Sequence, residues 1–494
     1  MVQIESIINQ NPWWKYDSFG DFDKHLSELN KWPIHFKRRE LPLETGNIYL
    51  LRGPRQVGKT TLIKEQISNL VHENVDPESI LYYPCDYVRS RRELRNVIEY
   101  HLNRNRASEN LFIFLDEITY LQDWSREVKA QVDVGLLKRA TLVLTGSGAA
   151  HLKREAEQLP GRGLEGNQYL LLPLTFREFL LQASPQISSH LQIQLRRSLD
   201  RARERLKENT LSLDENIREQ RENIERIVPH GPDLDYLFRT YLLTGGFPQA
   251  INRHFNNQLK SIDEEAYATL TKAVLGDFSK RGREEALARQ ILEGIVSRHG
   301  TRFGYRTLSG DVDATHPTVI KYLTSMDDSL LTQTVYAVDF QRRTARYKAD
   351  KKVYFADPFF YHSVNALIKG QEGFSLSREV LDDSTSLSSL VEGVVASHLT
   401  QTRVKPYMAE PMTILYFFYN PRSEVDFVYR QEKGEFTGIE VKYGVRERKG
   451  TFPNVSQLRE RIVLTRDSID FSREETQIPL AIFLSLLRKS ECCL

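Results

Sequence analysis

Gly53-Pro54-Arg55-Gln56-Val57-Gly58-Lys59-Thr60 fills every fixed position of the pattern G-x-x-x-x-G-K-[ST]. The apolar run Ile48-Tyr-Leu-Leu51 before it reads as a strand. After it, Leu62, Ile63, Ile67 and Leu70 recur at helical spacing. Strand, glycine turn and helix together make a cradle for phosphate groups. Glycines let backbone N–H groups turn inward, and the helix N-terminus adds the positive end of its dipole. In such a cradle Lys59 reaches the β- and γ-phosphates and the Thr60 hydroxyl takes a place on Mg²⁺. Gly53 to Thr60 with Thr61 is therefore the expected nucleotide-binding set.

A second strand signal agrees with the first. Leu111-Phe-Ile-Phe-Leu115 is an unbroken apolar run ending in Asp116-Glu117. Such a run suits a strand buried on both faces of a parallel sheet, and the C-terminal edge of such a sheet is where ligands bind. Asp116 is expected to hold Mg²⁺ and Glu117 to orient the attacking water. Thr141-Leu-Val-Leu-Thr145 reads as a third strand, leading into Gly146-Ser147-Gly148. Thr145 or Ser147 is placed to sense the γ-phosphate. With a strand at Ser79–Tyr83 and a helix at about Arg91–Asn103, the alternation predicts an α/β fold with a parallel sheet.

Composition narrows the classes. The chain has 494 residues and a formal net charge of +2, enough length for several domains but no general polycation. Its three cysteines, Cys85, Cys492 and Cys493, support neither a disulfide framework nor a Cys-rich zinc site, which fits a reducing cytoplasm. No run of about 18 apolar residues suggests a membrane span. The final Cys-Cys-Leu is no prenylation box, because Glu491 stands where cysteine is needed.

The middle of the chain is less explicit. The paired Trp13 and Trp14 are expected to pack an N-terminal arm onto the first domain. Residues 192–228 are crowded with Arg, Glu and Lys, with Leu195, Leu199, Leu206, Leu213, Ile217, Ile224 and Ile227 spaced among them. They read as one or two long solvated helices, or a protruding hairpin. Helices are expected at Glu284–Arg298 and Thr315–Met326, the latter with Thr315 as cap and Pro317 in its first turn. The apolar run Leu330–Val338 and a basic turn of Arg342, Arg343, Arg346, Lys348, Lys351 and Lys352 follow. Helix, turn, helix and basic hairpin outline a winged helix. In that geometry His316, Thr318 and Lys321 face a DNA groove and the basic turn meets phosphates; a packing module is the other reading.

The last segment suggests a second acidic site. Leu390–Leu399 is a helix candidate carrying Glu392. Ile414–Tyr419, Glu424–Tyr429 and Gly438–Lys442 read as strands. Alternate side chains of a strand share a face, so Glu440 and Lys442 point together and Asp426 can approach from its neighbour. Converging carboxylates bind Mg²⁺ or Mn²⁺, and an adjacent lysine can steer a water. The order helix-Glu, strand-Asp, strand-Glu-x-Lys resembles the PD-(D/E)xK nuclease superfamily, with Val425 where proline usually precedes the aspartate.

Together these stretches resemble archaeal-type P-loop ATPases of the AAA+/STAND clade that carry a C-terminal nuclease-like domain. The carriers are Gly53–Thr61, Leu144–Ser147, Gly161-Arg162, Leu172–Phe179 and Gly245-Gly-Phe-Pro248. The resemblance implies ATP-driven switching, with Pro248 near the adenine and Arg162 as an arginine finger or γ-phosphate sensor. It also implies a chain divided into a P-loop core (1–180), a helical lid (181–280), a winged helix (281–350) and a nuclease-like domain (351–494). The implied catalytic residues are Lys59, Glu117, Arg162, Glu440 and Lys442. The metal ligands are Thr60 and Asp116 in one site and Glu392, Asp426 and Glu440 in the other. ATP, Mg²⁺ and DNA are the expected partners, and assembly as a homo-oligomer stays open. Cleavage of DNA and non-cleaving DNA or protein binding are the alternatives for the C-terminal part.

Overall fold

In the computed structural model the described residues are 4–146, 152, 155, 159, 161, 163–164, 166–183, 185–186, 193–280, 283–404, 414–443, 452–472 and 474–494. They form two compact units. One takes in the chain up to Leu172 with Glu491–Leu494; the other runs from Pro173 to Val404 and resumes through Ser490.

The first unit is built on five parallel strands: β1 (Ile48–Arg52), β2 (Ile80–Pro84), β3 (Leu111–Asp116), β4 (Ala140–Gly146) and β5 (Gln168–Leu170). Their order is β2-β3-β4-β1-β5. Parallel strands need crossovers, here supplied by the helices Lys59–His72, Arg91–Arg104 and Trp124–Asp133. β1, β3 and β4 are buried at every residue, which is why they read as continuous apolar runs. The order sets the C-terminal ends of β1 and β3 on either side of β4, so the glycine loop and Asp116 flank one crevice.

The N-terminal arm covers the free edge of β2. The Asn11 side chain behaves as a strand residue would: its amide donates to the Tyr82 carbonyl (3.0 Å) and its oxygen accepts from the Tyr82 N–H (2.6 Å). Trp13 and Trp14 both donate their indole N–H to the Ile80 carbonyl, at 3.1 and 2.8 Å. At the opposite edge the C-terminal residues extend β5, with Leu170 N–H on the Cys492 carbonyl and Leu494 N–H on the Leu170 carbonyl, both 2.8 Å.

The second unit holds a mixed sheet of β6 (Thr332–Asp339), β7 (Thr344–Ala345), β8 (Lys351–Phe355), β9 (Leu415–Tyr419), β10 (Glu424–Arg430), β11 (Phe436–Lys442), β12 (Leu458–Thr465) and β13 (Thr476–Pro479). The order is β13-β12-β11-β10-β9-β6-β7, with β8 also on β6. β9, β10 and β11 form an antiparallel meander, and β12 joins β11 in parallel. The helix Ser384–Gln401 precedes the meander and touches β8, β9, β10 and β11. The helices Glu285–Ser297, Tyr305–Asp311 and His316–Asp328 lead into the β6–β8 hairpin. Because β6 pairs with β9 as well as β8, the hairpin belongs to the same sheet as the meander. The expected boundaries at 280/281 and 350/351 fall inside this unit.

The charged stretch near 192–228 does not protrude. Leu199, Leu206, Leu213, Ile217, Ile224 and Ile227 are all buried, each burial contributing about 1.5–3 kcal/mol. The segment is tied down by polar contacts as well: Arg177 donates to the Asn209 carbonyl (3.1 Å), Gln431 to the Leu213 carbonyl (2.8 Å), and the Ile217 N–H to Glu460 (2.8 Å). Leu195 carries no described side chain.

The Gly245-Gly246 pair serves packing. The Gly246 carbonyl accepts from the Leu174 N–H and its own N–H donates to the Asp357 carboxylate, both at 2.8 Å. A Cβ at Gly245 would lie 1.8 Å from an Asp357 oxygen, and one at Gly246 would lie 2.1 Å from the Leu174 carbonyl oxygen. Burial pushes the Asp357 carboxyl up to about 7.

Candidate functional site

The glycine loop of the first unit runs from the end of β1 to the helix Lys59–His72. Gly53 has no room for a side chain, since a Cβ would stand 2.2 Å from the Leu171 carbonyl oxygen. Gln56 (φ 62°) and Gly58 (φ 102°) take the left-handed conformation that turns the backbone inward. Pro54 and Val57 are buried, Arg55 and Thr61 half-buried, Gln56 exposed. Lys59 is buried, and its ammonium donates to the carbonyls of Gly53 and Pro54, both at 3.0 Å. Its one ion-pair contact among the described residues is Glu117, at 3.5 Å.

Asp116 ends β3 surrounded by hydroxyls. Thr60 Oγ1 donates to Oδ2 at 2.7 Å, Tyr82 donates to the same oxygen at 3.0 Å, and Thr145 donates to Oδ1. Thr145 Oγ1 also accepts the Glu117 N–H at 2.9 Å. This bond holds Glu117 in the left-handed region (φ 52°), a strained conformation of the kind that collects at functional sites. Strand and loop thus bring Lys59, Thr60, Asp116, Glu117 and Thr145 together. Thr145 is wholly buried and committed to Asp116 and Glu117; Ser147 and Arg162 lie outside the described residues.

Tyr82, not singled out from the sequence, supports Asp116, and Lys64 packs on Tyr82 in turn. Tyr82 is buried, and burial followed by the nearby Asp116 charge pushes its phenol far above the usual range. The Lys64 ammonium sits 3.5 Å from the centre of the Tyr82 ring and 2.9 Å from Asp23. Burial lowers the Lys64 pKa and Asp23 opposes it. Period-two alternation on β2 puts Tyr82, with Ile80, on the face covered by the helix Lys59–His72, which was the available signal.

These residues fit a Mg²⁺–nucleoside triphosphate. A loop whose Gly53 admits no Cβ, a lysine held by the loop carbonyls, and a hydroxyl beside a carboxylate supply phosphate donors and two oxygen ligands. The ion, when bound, neutralises charge on the phosphates.

The second unit gathers the other acidic residues. Register sets Phe427 opposite Ile439, so Asp426 and Glu440 face each other where the ladder opens. There the Asp426 N–H donates to Glu440 (3.3 Å) and the Val441 N–H to Asp426 (2.9 Å). Lys442 pairs with Glu440 at 2.6 Å. Glu392, from the helix Ser384–Gln401, accepts the Tyr354 hydroxyl at 3.0 Å. The cluster also contains Lys352 and Glu424. The Lys352 ammonium lies 2.7 Å from Glu424, 3.5 Å from Glu392 and 3.6 Å from Asp426. Burial opposes its charge, but Tyr354, Glu392, Asp426 and Glu424 outweigh that and raise its pKa well above the ordinary lysine range. Burial first, then Asp426, pushes Glu392 up to about 8 and Glu440 up to about 7.

This set does not fit the expected divalent ion. Among the described residues no group of three or more His, Cys, Asp or Glu is arranged to hold a metal. The carboxylates converge on an ammonium instead. Lys351 and Lys352, expected to meet DNA phosphates, are buried strand residues. Arg342, Arg343, Arg346 and Lys348 do stand exposed on either side of β7, and Lys321 on its helix. His316 is half-buried against Tyr305, ring centroids 5.9 Å apart, and Thr318 bonds Thr315 at 2.9 Å. Pro248 opens the helix Pro248–Asn256 in the second unit.

The first site lies within a stretch that matches a known family model. Residues 45–180 match the model of an AAA domain, and residues 235–371 match that of a domain of unknown function, DUF8612. Residues 45–180 are thus a P-loop ATPase domain of the AAA type. Among solved structures the chain is similar to Cdc6p from Pyrobaculum aerophilum, at 13% identity over 68% of this chain and 97% of that one, with a TM-score of 0.23. No curated protein matches the chain. Among the described residues no helix is long and apolar enough to cross a membrane.

Proposed function

We propose that this chain is an ATP-hydrolysing conformational switch whose second unit holds DNA. Lys59 and the loop amides bind the β- and γ-phosphates, Thr60 and Asp116 hold Mg²⁺, and Glu117 orients the attacking water. The observation that carries the reading is the 2.7 Å contact of Thr60 with Asp116, beside Lys59 and a Glu117 locked by Thr145. Calorimetry with ATP tests binding, and phosphate release tests turnover. Glu117→Gln should keep ATP affinity and lose about 100-fold in turnover. Equal turnover in wild type and variant removes Glu117 from the role, and no ATP uptake removes the whole reading.

Support for DNA comes from the exposed cations Arg342, Arg343, Arg346 and Lys348, which flank the short strand β7. Their expected signature is salt-dependent binding, with the log–log slope reduced by about one for each phosphate contact removed. Duplex binding insensitive to Arg342→Ala plus Arg346→Ala would assign the turn to packing. Metal-dependent cleavage at Asp426, Glu440 and Lys442 is left out of this reading, because the cluster does not fit a divalent ion. Size-exclusion with a non-hydrolysable ATP analogue reads out assembly.

A further inference from the structure

The acidic cluster of the second unit has the residue types of a divalent-cation site but already encloses a cation. We infer that the Lys352 ammonium is the resident cation of this centre, standing where a divalent metal would bridge the carboxylates. The inference concerns the second unit alone and does not depend on the ATPase reading.

Three observations carry it. First, Lys352 Nζ reaches carboxylates from two separate elements, Glu424 and Asp426 on β10 and Glu392 on the helix Ser384–Gln401, at 2.7, 3.6 and 3.5 Å. Linking ligands from different elements is what a bound metal ordinarily does. Second, the ammonium cannot swing away to make room. Its side chain is 3% exposed, it lies 5.8 Å from the Phe417 ring centre, and β8 is fixed by five paired residues on β6. Third, four further carboxylate atoms already have partners, Glu424 Oε2 being paired with the Arg302 guanidinium at 2.8 Å. Asp426 Oδ2 accepts the Val441 N–H, Glu440 Oε1 the Asp426 N–H and Glu440 Oε2 the Lys442 ammonium. Displacing a buried ammonium would leave it unpaired, a large desolvation penalty. A fixed ammonium balances charge but has no open position for a water, so it generates no metal-bound hydroxide.

Mn²⁺ titration of the nucleotide-free full-length chain, followed by electron paramagnetic resonance, tests this. Wild type and Asp426→Asn should take up Mn²⁺ alike and weakly. Lys352→Met, which keeps the length and loses the charge, should gain a site about tenfold or more tighter. That gain should vanish in Lys352→Met combined with Asp426→Asn, and Mn²⁺ should raise the melting temperature of Lys352→Met only. A tight Mn²⁺ site in wild type that Asp426→Asn removes would overturn the inference. So would a folded Lys352→Met with wild-type uptake. Should Lys352→Met fail to fold, the comparison of wild type with Asp426→Asn still decides.

Discussion

The two units use the same few residue types to opposite ends. In the first, Lys59 is held by backbone carbonyls and Asp116 by the hydroxyls of Thr60, Tyr82 and Thr145. Neutral groups hold both charges in place, and the carboxylate nearest Lys59 is Glu117 at 3.5 Å. In the second, Lys352 sits directly among Glu392, Glu424 and Asp426. A site prepared for a charged ligand leaves its charges to that ligand, whereas a closed ion cluster satisfies itself. Counting carboxylates and lysines therefore does not separate a binding site from a structural one; what each charge touches does.

Removing the lysine from each unit is the strongest test of this contrast. Lys352→Met should lower the unfolding free energy of the second unit by about 3–5 kcal/mol, the usual result of stranding buried charges, measured by denaturant titration. Lys59→Ala should leave the denaturant midpoint nearly unchanged and weaken ATP binding by about 100-fold in calorimetry, since it removes a charged phosphate donor. If Lys59→Ala unfolds the chain and Lys352→Met does not, the contrast is reversed.

Acid should act on the second unit next. His398 Nε2 accepts the Phe176 N–H at 2.8 Å, and Nδ1 bonds the Val394 carbonyl at 2.8 Å. This pairing needs the neutral ring, and burial lowers its pKa to about 4. A depressed folded pKa means stability is complete above the unfolded value of about 6.5 and falls as pH drops toward 4. Between pH 7 and 5 the loss from this residue should be about 2 kcal/mol, and His398→Gln should show a correspondingly shallower pH dependence. The smallest effect is expected at Tyr82. Tyr82→Phe removes one donor from Asp116 and should raise the Mg²⁺ concentration for half-maximal hydrolysis about fivefold, near 1 kcal/mol. No change would mean that Thr60 and Thr145 alone set Asp116.

What was legible in the sequence follows the same division. The glycine loop and Asp116-Glu117 are local patterns whose chemistry is spelled by neighbours in the chain, so Gly53–Thr60 and the end of β3 could be placed in advance. Glu440 and Lys442 were also legible, because strand alternation brings them to one face, with Asp426 on the neighbouring strand and Glu392 on the preceding helix. Lys352 was not. In the sequence it closes a basic run beginning at Arg342, and reading that run as one surface hid the change at Lys351, where a strand begins. Alternation with Tyr354 on the same strand was the clue to an inward lysine. The charged stretch near 192–228 misled for a related reason. Its sparse apolar residues were visible, but its helices pack on Phe176–Gln182, Gly231–Thr244 and Leu480–Leu486, the last of them far away in sequence.

The arm at the start of the chain has a practical consequence. β2 is the last strand of its sheet, and Asn11, Trp13 and Trp14 occupy hydrogen-bonding groups that would otherwise face outward. A truncated protein beginning after Trp14 would present an uncapped, apolar strand to its own copies, and such edges recruit further strands. Trimming those few residues for expression or crystallisation should thus favour self-association into sheet-rich aggregates, even with every phosphate-binding group left in place.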